Sequence, residues 1–463
     1  MEASDRDHEA WLNSVKSQIE AENNTRWHAD AFFDKLFGRE DAAKICQPDK
    51  ETDGVRAVTI GPYHRYPQDQ VIFDDEYKWA VTRYIARRWA HFDSSIYLQA
   101  MAEMELDARR YYAYDFHEEI GSYDFLVMLL LDSAFILFVL DAVGNKELLY
   151  SGNDPFGYGT LLLKVQDSIM EIKIDLLRLD NQIPFFAVEQ LYVISHCGKP
   201  DYHNDYLQEK FRNLVLSGFK DLYPKREKGR RINFEDTEFD HLLHLFHWSR
   251  VPEDKYLSGS AMMRRTEDRV LYIPSATELQ KCAMTFRRKA SGSFLDVMFQ
   301  DSLTKICGEM SIPTVYLDDY SKELFRNLIA FEMNSNENGR CVMAYCKCLS
   351  HILQREDDVK LLRDEGIVAS TSYKDADVIE FFDHFNKQVE HQSMPVDLYD
   401  LYAEVRKHHK RRISNYYGRM KLQYFPNWWV CLSIVAGIVL FLFTLLQTIY
   451  SLLGYYKPFS TTK

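Results

Sequence analysis

The sequence predicts a mainly α-helical protein: a large helical soluble domain with a few short strands, followed by one C-terminal transmembrane helix. Three observations carry this expectation. An apolar stretch from Val430 to Leu453 is interrupted only by Ser433, Gly437, Thr444, Gln447, Thr448, Tyr450 and Ser451. Long helical patterns without Gly or Pro, such as Asp74 to Ala113, dominate the rest of the chain. Period-two alternation is confined to a few short runs.

The apolar stretch is long enough to span a bilayer. At about 1.5 Å per residue a helix needs roughly 20 apolar residues to cross about 30 Å of hydrocarbon. Lys407, Lys410, Arg411, Arg412, Arg419 and Lys421 precede it, with Trp428 and Trp429 at its near boundary and Tyr455 and Tyr456 at its far one. Aromatic rings favour the headgroup level, and basic residues favour the cytosolic side. These membrane-flanking residues imply a cytosolic domain on a single C-terminal helix, with the basic cluster against an anionic leaflet. Anchor length slightly favours the thicker plasma membrane.

The 463 residues carry a net charge of −13, with 46% hydrophobic and 27% charged residues. This is the composition of a folded globular protein, and the acidic balance argues against nucleic acid as a partner. The start, Met1 to Asp5, lacks an apolar signal-peptide core. Eight cysteines are scattered at spacings that suit neither a disulfide framework nor a zinc site, so free thiols in a reducing compartment are expected. Asn23 heads a glycosylation sequon close to the N-terminus.

Residues 1–54 form an N-terminal arm with a helix expected over Ala10 to Leu36. The helical domain follows over 55–421, the membrane helix over 428–454 and a short tail over 455–463. Val55 to Ile60 alternates at a two-residue period and ends in the turn signal Gly61-Pro62-Tyr63, which predicts a strand. One long helix is expected over Asp74 to Ala113. Tyr123 to Leu140 is nearly all apolar, but it carries Asp132 near its middle and has no basic flank. A carboxylate at mid-membrane is costly, so this segment predicts the central buried helix of the domain. Helices are expected at about 160–177, 183–197, 203–218 and around Leu242 to Phe246, with loops at 225–231 and 249–268. Strands are expected at 285–287, 294–297 and 314–317, then helices at about 319–334, 339–355, 374–390 and 397–421.

No phosphate-binding Gly loop, His-Glu-x-x-His, Gly-x-Ser-x-Gly or paired Cys-x-x-Cys occurs. Asp132, Asp180 and Glu189 are the candidate catalytic carboxylates, for a hydrolase-like acid/base role. Each also has a structural reading. Asp180 or Asn181 suits a cap on the helix that follows, and Asp132 calls for a buried partner such as Arg178 or a Tyr hydroxyl. His241, His244 and His247 lie at i, i+3 and i+6 without a matching carboxylate, so packing roles are favoured over metal binding. No cofactor is expected.

Four motifs occur in order: Val58-Thr59-Ile60-Gly61-Pro62-Tyr63-His64, Asn181-Gln182-Ile183-Pro184-Phe185-Phe186, Pro274-Ser275-Ala276-Thr277-Glu278-Leu279, and Phe325-Arg326-Asn327-Leu328-Ile329-Ala330-Phe331-Glu332. With the C-terminal anchor behind them, they make the chain resemble the plant domain-of-unknown-function 247 family from about Val55 to Leu453. The resemblance implies a single-pass membrane protein of a plant, of unestablished activity. Relatives implicated in grass self-incompatibility make a recognition determinant one reading. Ala134 stands where the family commonly has Cys, and Asp180 where it commonly has Glu. The expectation that follows is a membrane-tethered protein-interaction or recognition module in signalling. The alternatives are a hydrolase-like enzyme using buried carboxylates, or an oligomeric pore lined through Ser433 and Gln447.

Overall fold

Helix begins almost at the first residue. α1 (Glu2–Glu20) presents Leu12, Val15 and Ile19 at three- and four-residue spacing, and all three join the main core where α1 meets α2 (Asp75–Arg88) and α3 (Ser94–Glu103). This part of the N-terminal arm is therefore built into the domain. The computed structural model describes residues 2–20, 45, 55–65, 71–113, 119–144, 159–201, 204–222, 234, 237–251, 263–264, 272–289, 296–302, 304, 306–334, 340–370, 372–389, 394–424 and 428–456. The remainder of the expected Ala10–Leu36 helix, Asn23, and the 225–231 loop lie outside them.

The long helix expected over Asp74 to Ala113 is instead α2, α3 and the short α4 (Glu105–Arg109). Asp74 caps α2 by accepting from the Tyr77 amide, Trp89 turns extended, and Asp93 restarts the helix by accepting from the Ser95 and Ile96 amides. The break is thus made by a cap rather than by Gly or Pro.

The apolar run forms α5 (Ser122–Gly144), and α2, α3, α6 (Gly159–Asp167), α8 (Phe185–Cys197) and α9 (Asp205–Gly218) pack around it. Its window Ser122–Val143 has a mean hydropathy of 2.4 and is 83% buried, as a central core helix must be. α7 (Ile169–Asp175) leads through an elbow into α8, and α10 (Leu242–Arg250) closes the first half.

The second half mixes short strands and helices. β1 (Met263–Arg264) pairs antiparallel with a late strand, and α11 (Ala276–Gln280) precedes β2 (Met284–Lys289), β3 (Met298–Asp301), β4 (Gly308–Pro313) and β5 (Val315–Leu317). β4 is central in a three-stranded sheet. β2 runs parallel to it from Met284↔Gly308 to Lys289↔Pro313, and β3 antiparallel from Met298↔Ser311 to Asp301↔Gly308. α12 (Ser321–Asn334), α13 (Cys341–Ile352), α14 (Glu356–Asp364), β6 (Val368–Ser370) and α15 (Asp375–Val389) follow, with β5 and β6 parallel. β7 (Met394–Pro395) is the partner of β1. The expected strands at 285–287 and 314–317 are present, Asp296 and Val297 of the one expected at 294–297 lie just before β3, and β4 and β6 are not among those expected.

The single helix expected over 397–421 is two, α16 (Val396–His409) and α17 (Arg412–Tyr424). The break follows from contacts below it. His408 is buried with Nδ1 2.9 Å from Asp301 and Nε2 2.9 Å from the Cys282 carbonyl, and Arg411 reaches Asp301 at 2.7 Å. Asn415 donates to the His409 and Arg411 carbonyls exposed by the interruption. α17 then lies so close to the chain after α11 that a Cβ on Gly418 would overlap the Lys281 carbonyl and the Ala283 amide. α18 (Trp428–Tyr456) completes the described chain. Its window Leu432–Leu453 has a mean hydropathy of 2.3 and no buried share.

Gly418→Ala is expected to destabilise the domain by about 1–3 kcal/mol, because the added carbon meets backbone that cannot step aside. Gly437→Ala, with open space around its Cα, is expected to be neutral. Thermal unfolding of the two variants in detergent compares them directly.

Candidate functional site

The alternating segment around Val58 does not form a strand. Its only ladder contact among the described residues is a parallel bridge between Val58 and Phe73. The backbone from Arg56 to Gly61 is nonetheless largely buried, so its polar groups need partners from elsewhere. Side chains supply them. Asp175 accepts from the Ala57 amide at 2.6 Å, the Val58 amide at 3.1 Å and the Arg56 amide at 3.2 Å. Asn181 accepts from the Ile60 amide at 2.7 Å and donates to the Val58 carbonyl at 3.0 Å. Lys78 donates to the Thr59 carbonyl at 2.6 Å, and Asp132 accepts from the Gly61 amide at 2.8 Å.

Asp132 and Lys78 also form an ion pair at 2.5 Å, with both side chains wholly buried. Asp132 therefore finds Lys78 and a backbone amide, not the Arg178 or Tyr hydroxyl expected from sequence. The signal for Lys78 was present. It lies on the same face of α2 as Val81, Thr82 and Ile85, all buried, and a cation on an apolar face calls for a buried anion.

Glycine is required at position 61. Its φ is +74°, and a Cβ would overlap the Gln182 carbonyl, which also accepts from Tyr112 Oη at 3.2 Å. Gln182 in turn donates to the Leu176 and Arg178 carbonyls, each at 2.7 Å, and accepts from the Leu242 amide that opens α10. The expected cap by Asp180 or Asn181 on the next helix is absent. Pro184 occupies the N-cap of α8, and the Phe185 amide bonds to the Asp240 carbonyl. Asp180 pairs instead with Arg178 at 3.1 Å and lies 3.0 Å from His64 Nε2. Arg178 also reaches Glu323 at 2.6 Å, and Asn327 accepts from the Leu179 amide.

Two titration shifts follow from this burial. Burial pushes Asp175 up to about 6, against the opposing pull of the Ala57, Val58 and Arg56 amides and Arg178. Burial alone would raise Asp180 as well, but the His64 hydrogen bond and the Arg178 guanidinium hold its carboxyl below the usual range.

The three candidate carboxylates are not brought into one open site. Asp132 is held by Lys78, Asp180 by Arg178 and His64, and Glu189 by Arg212 at 3.1 Å. Asp132 and Asp180 both serve the 56–65 segment, whereas Glu189 shares no partner with either. The histidines have packing roles. His241 caps α10 by accepting from the His244 amide, His244 meets Asp240 at 3.2 Å, and His247 meets buried Glu332 at 2.8 Å. No group of three or more His, Cys, Asp or Glu side chains among the described residues is placed to hold a metal ion. Cys197, Cys282, Cys307, Cys341, Cys346 and Cys348 are free thiols.

Of the membrane-flanking residues, Lys407, Lys410, Arg412, Arg419 and Lys421 are exposed, while Arg411 is tied to Asp301 instead. Trp428 and Trp429 open α18, and their side chains lie outside the described residues.

The residues of this network lie within a span that matches a known family. The model of the DUF247 family, described as plant protein of unknown function, matches residues 50–443. The chain belongs to this family. It is similar to UPF0481 protein At3g47200 of Arabidopsis thaliana, at 25% identity over 86% of this chain and 83% of that protein. It is also similar to Putative UPF0481 protein At3g02645 of Arabidopsis thaliana, at 22% identity over 95% of this chain and 94% of that protein. No solved structure gives a significant match. Within the matched span, Gly61 lies against the Gln182 carbonyl, and Asn181, Gln182, Asn327 and Glu332 each bond to backbone.

Lys78→Met is expected to destabilise the domain by about 3–5 kcal/mol, because Asp132 is left buried without its cation. Adding Asp132→Asn to it recovers about 1–3 kcal/mol, and a double-mutant cycle in urea measures the coupling. Asp175 gives a pH signature. Its folded value lies above its unfolded one, so between about pH 4 and 6 the folded state binds more protons and stability falls as pH rises. The stability deficit of Asp175→Asn relative to wild type is therefore expected to shrink from pH 4 to pH 7, by on the order of 2 kcal/mol.

Proposed function

We propose that the protein is a single-pass, membrane-tethered interaction module, its helical domain facing the cytosol at the plant plasma membrane. The observation that carries this reading is the contrast between α5 and α18. Both are long and apolar enough to cross a membrane, but α5 is buried in the domain and Leu432–Leu453 is exposed along its whole length. An exposed apolar helix of this length is compatible with water only at a large cost, and a bilayer removes that cost. Lys and Arg are in excess on the domain side of α18, with Lys407, Lys410, Arg411, Arg412, Arg419 and Lys421 before it against Lys457 and Lys463 after it, which favours a cytosolic domain.

A recognition role suits the placement of the polar core. Asp132, Asp180 and Glu189 each stabilise the fold through a neighbouring cation, so they support the hydrolase-like alternative poorly. The pore alternative needs a polar stripe. In α18 the Thr444 and Thr448 hydroxyls instead donate to carbonyls of their own helix, at 2.8 Å each. What remains for function is the outer surface of a rigid domain held at a membrane, which is the arrangement a protein–protein contact uses.

Protease protection in sealed plant membranes, with separate tags at Met1 and Lys463, tests the topology. The N-terminal tag is expected to be digested and the C-terminal tag protected; the reverse pattern would place the domain on the opposite face. Proximity labelling from the domain in intact cells then tests recognition, with a reproducible protein neighbour as the expected result.

A further inference from the structure

We propose that α17 is an interfacial helix that lies on an anionic phospholipid surface and fixes the orientation of the whole domain against the bilayer. The proposal rests on the membrane reading of α18 and adds to it a second, peripheral contact. At 100° per residue, Ile413, Tyr416 and Met420 fall within an arc of about 60° on one side of α17. Ile413 is 68% exposed and Tyr416 is 75% exposed. Arg412 and Arg419 flank this ridge on one shoulder and Lys421 on the other, and all three are exposed. Isolated exposed apolar residues are ordinary, but an aliphatic and aromatic ridge bordered by cations is the pattern of a helix lying in a headgroup layer.

Charge and position identify the occupant. Every Asp or Glu of the chain lies at or before Glu404, so each charged side chain beyond it is Lys or Arg, in a protein whose net charge is −13. A surface with this sign complements anionic lipid, whereas the acidic remainder of the chain is repelled by that lipid. α17 ends at Tyr424 and α18 begins at Trp428, so the connection can span no more than about 15 Å. The ridge is therefore confined to the neighbourhood of the bilayer in which α18 is inserted.

The opposite face of α17 is clamped to the domain. Ser414 is buried, the Cys282 thiol donates to Asn415 Oδ1 at 3.0 Å, and Gly418 lies against the backbone at Lys281 and Ala283. Ala283 is the one described non-glycine residue with positive φ, at +58°, at the point where α11 turns into β2 beneath this contact. His408 and Arg411 add the bonds to Asp301 on β3. A helix held this firmly transmits its own orientation to the sheet, so the domain rests on the membrane in one pose instead of swinging on a tether.

A benzoyl-phenylalanine photo-crosslinker at position 416 of the full-length protein tests this, in vesicles of phosphatidylcholine with and without phosphatidylserine. The same probe at Leu440, inside the apolar helix, reports insertion independently. Label at 440 is expected to go to lipid in both compositions. Label at 416 is expected to go to lipid with phosphatidylserine present, and to fall at least about fivefold without it. Combining Arg412→Glu, Arg419→Glu and Lys421→Glu, all at exposed positions, is expected to reduce lipid label at 416 and leave 440 unchanged. Lipid label at 440 with none at 416 would overturn the interfacial helix while leaving the anchor intact. Label at 416 passing to a protein would overturn it in favour of a protein contact. Absence of lipid label at 440 would remove the anchor, and the present proposal with it.

Discussion

The fold depends on a buried stretch of backbone that has no strand beside it. From Arg56 to Gly61 the chain crosses the core, and its amides and carbonyls are met by Asp175, Asn181, Lys78 and Asp132. Each unmet buried amide would cost about 1–3 kcal/mol, so these side chains are as necessary as a sheet neighbour would be. They come from far along the chain: Asp175 is 118 residues from Ala57, Asn181 is 121 from Ile60, and Asp132 is 71 from Gly61. One segment therefore gathers α2, α5 and the α7–α8 elbow. The charge of Asp132 is tolerated only because Lys78 lies against it in a geometry that also satisfies Thr59.

The same device recurs in the second half, where carboxylates terminate helices from a distance. Glu332 on α12 accepts from the Val342 and Met343 amides at the start of α13, both at 2.8 Å, and from His247 of α10. Asp358 accepts from the Arg355 amide at its own helix start and from Thr277 at the start of α11, at 2.7 Å. A helix N-terminus presents unpaired amides with partial positive charge, so a buried carboxylate and a helix end stabilise one another. Glu332 and Asp358 thus hold backbone whose amides their loss would leave unsatisfied.

Much of the architecture was legible because it depends on period and length. The apolar run of α5, its burial despite membrane-like hydropathy, and the exposed α18 all follow from counting apolar residues and noting where charges interrupt them. The breaks at Trp89 and Lys410 were not legible, since no Gly or Pro marks either one. The first is set by Asp93 acting as a cap, an ordinary residue type until its geometry is known. The second is set by Asp301, more than 100 residues away, which draws His408 and Arg411 toward the sheet. Val55 to Ile60 misled for a related reason. Alternation reports that alternate side chains are buried, and says nothing about whether a strand or a set of carboxylates meets the backbone. Asp132 itself was visible as a buried acid, yet its partner required knowing which face of α2 turns inward.

Two helices of nearly equal hydropathy, α5 and α18, meet different environments, and the difference lies in what each one offers a neighbour. α5 carries Asp132 and Ser133, and both are used: Asp132 by Lys78 and Gly61, Ser133 by the Tyr97 hydroxyl at 3.2 Å. Those polar anchors specify a protein environment, since lipid provides no partner for a carboxylate. α18 has no ionisable side chain between Cys431 and Tyr450, and its Thr hydroxyls are satisfied within the helix. Such a surface specifies nothing about a protein neighbour and matches hydrocarbon. Composition alone does not separate α5 from α18; the partnered acid on α5 and the exposure of α18 do.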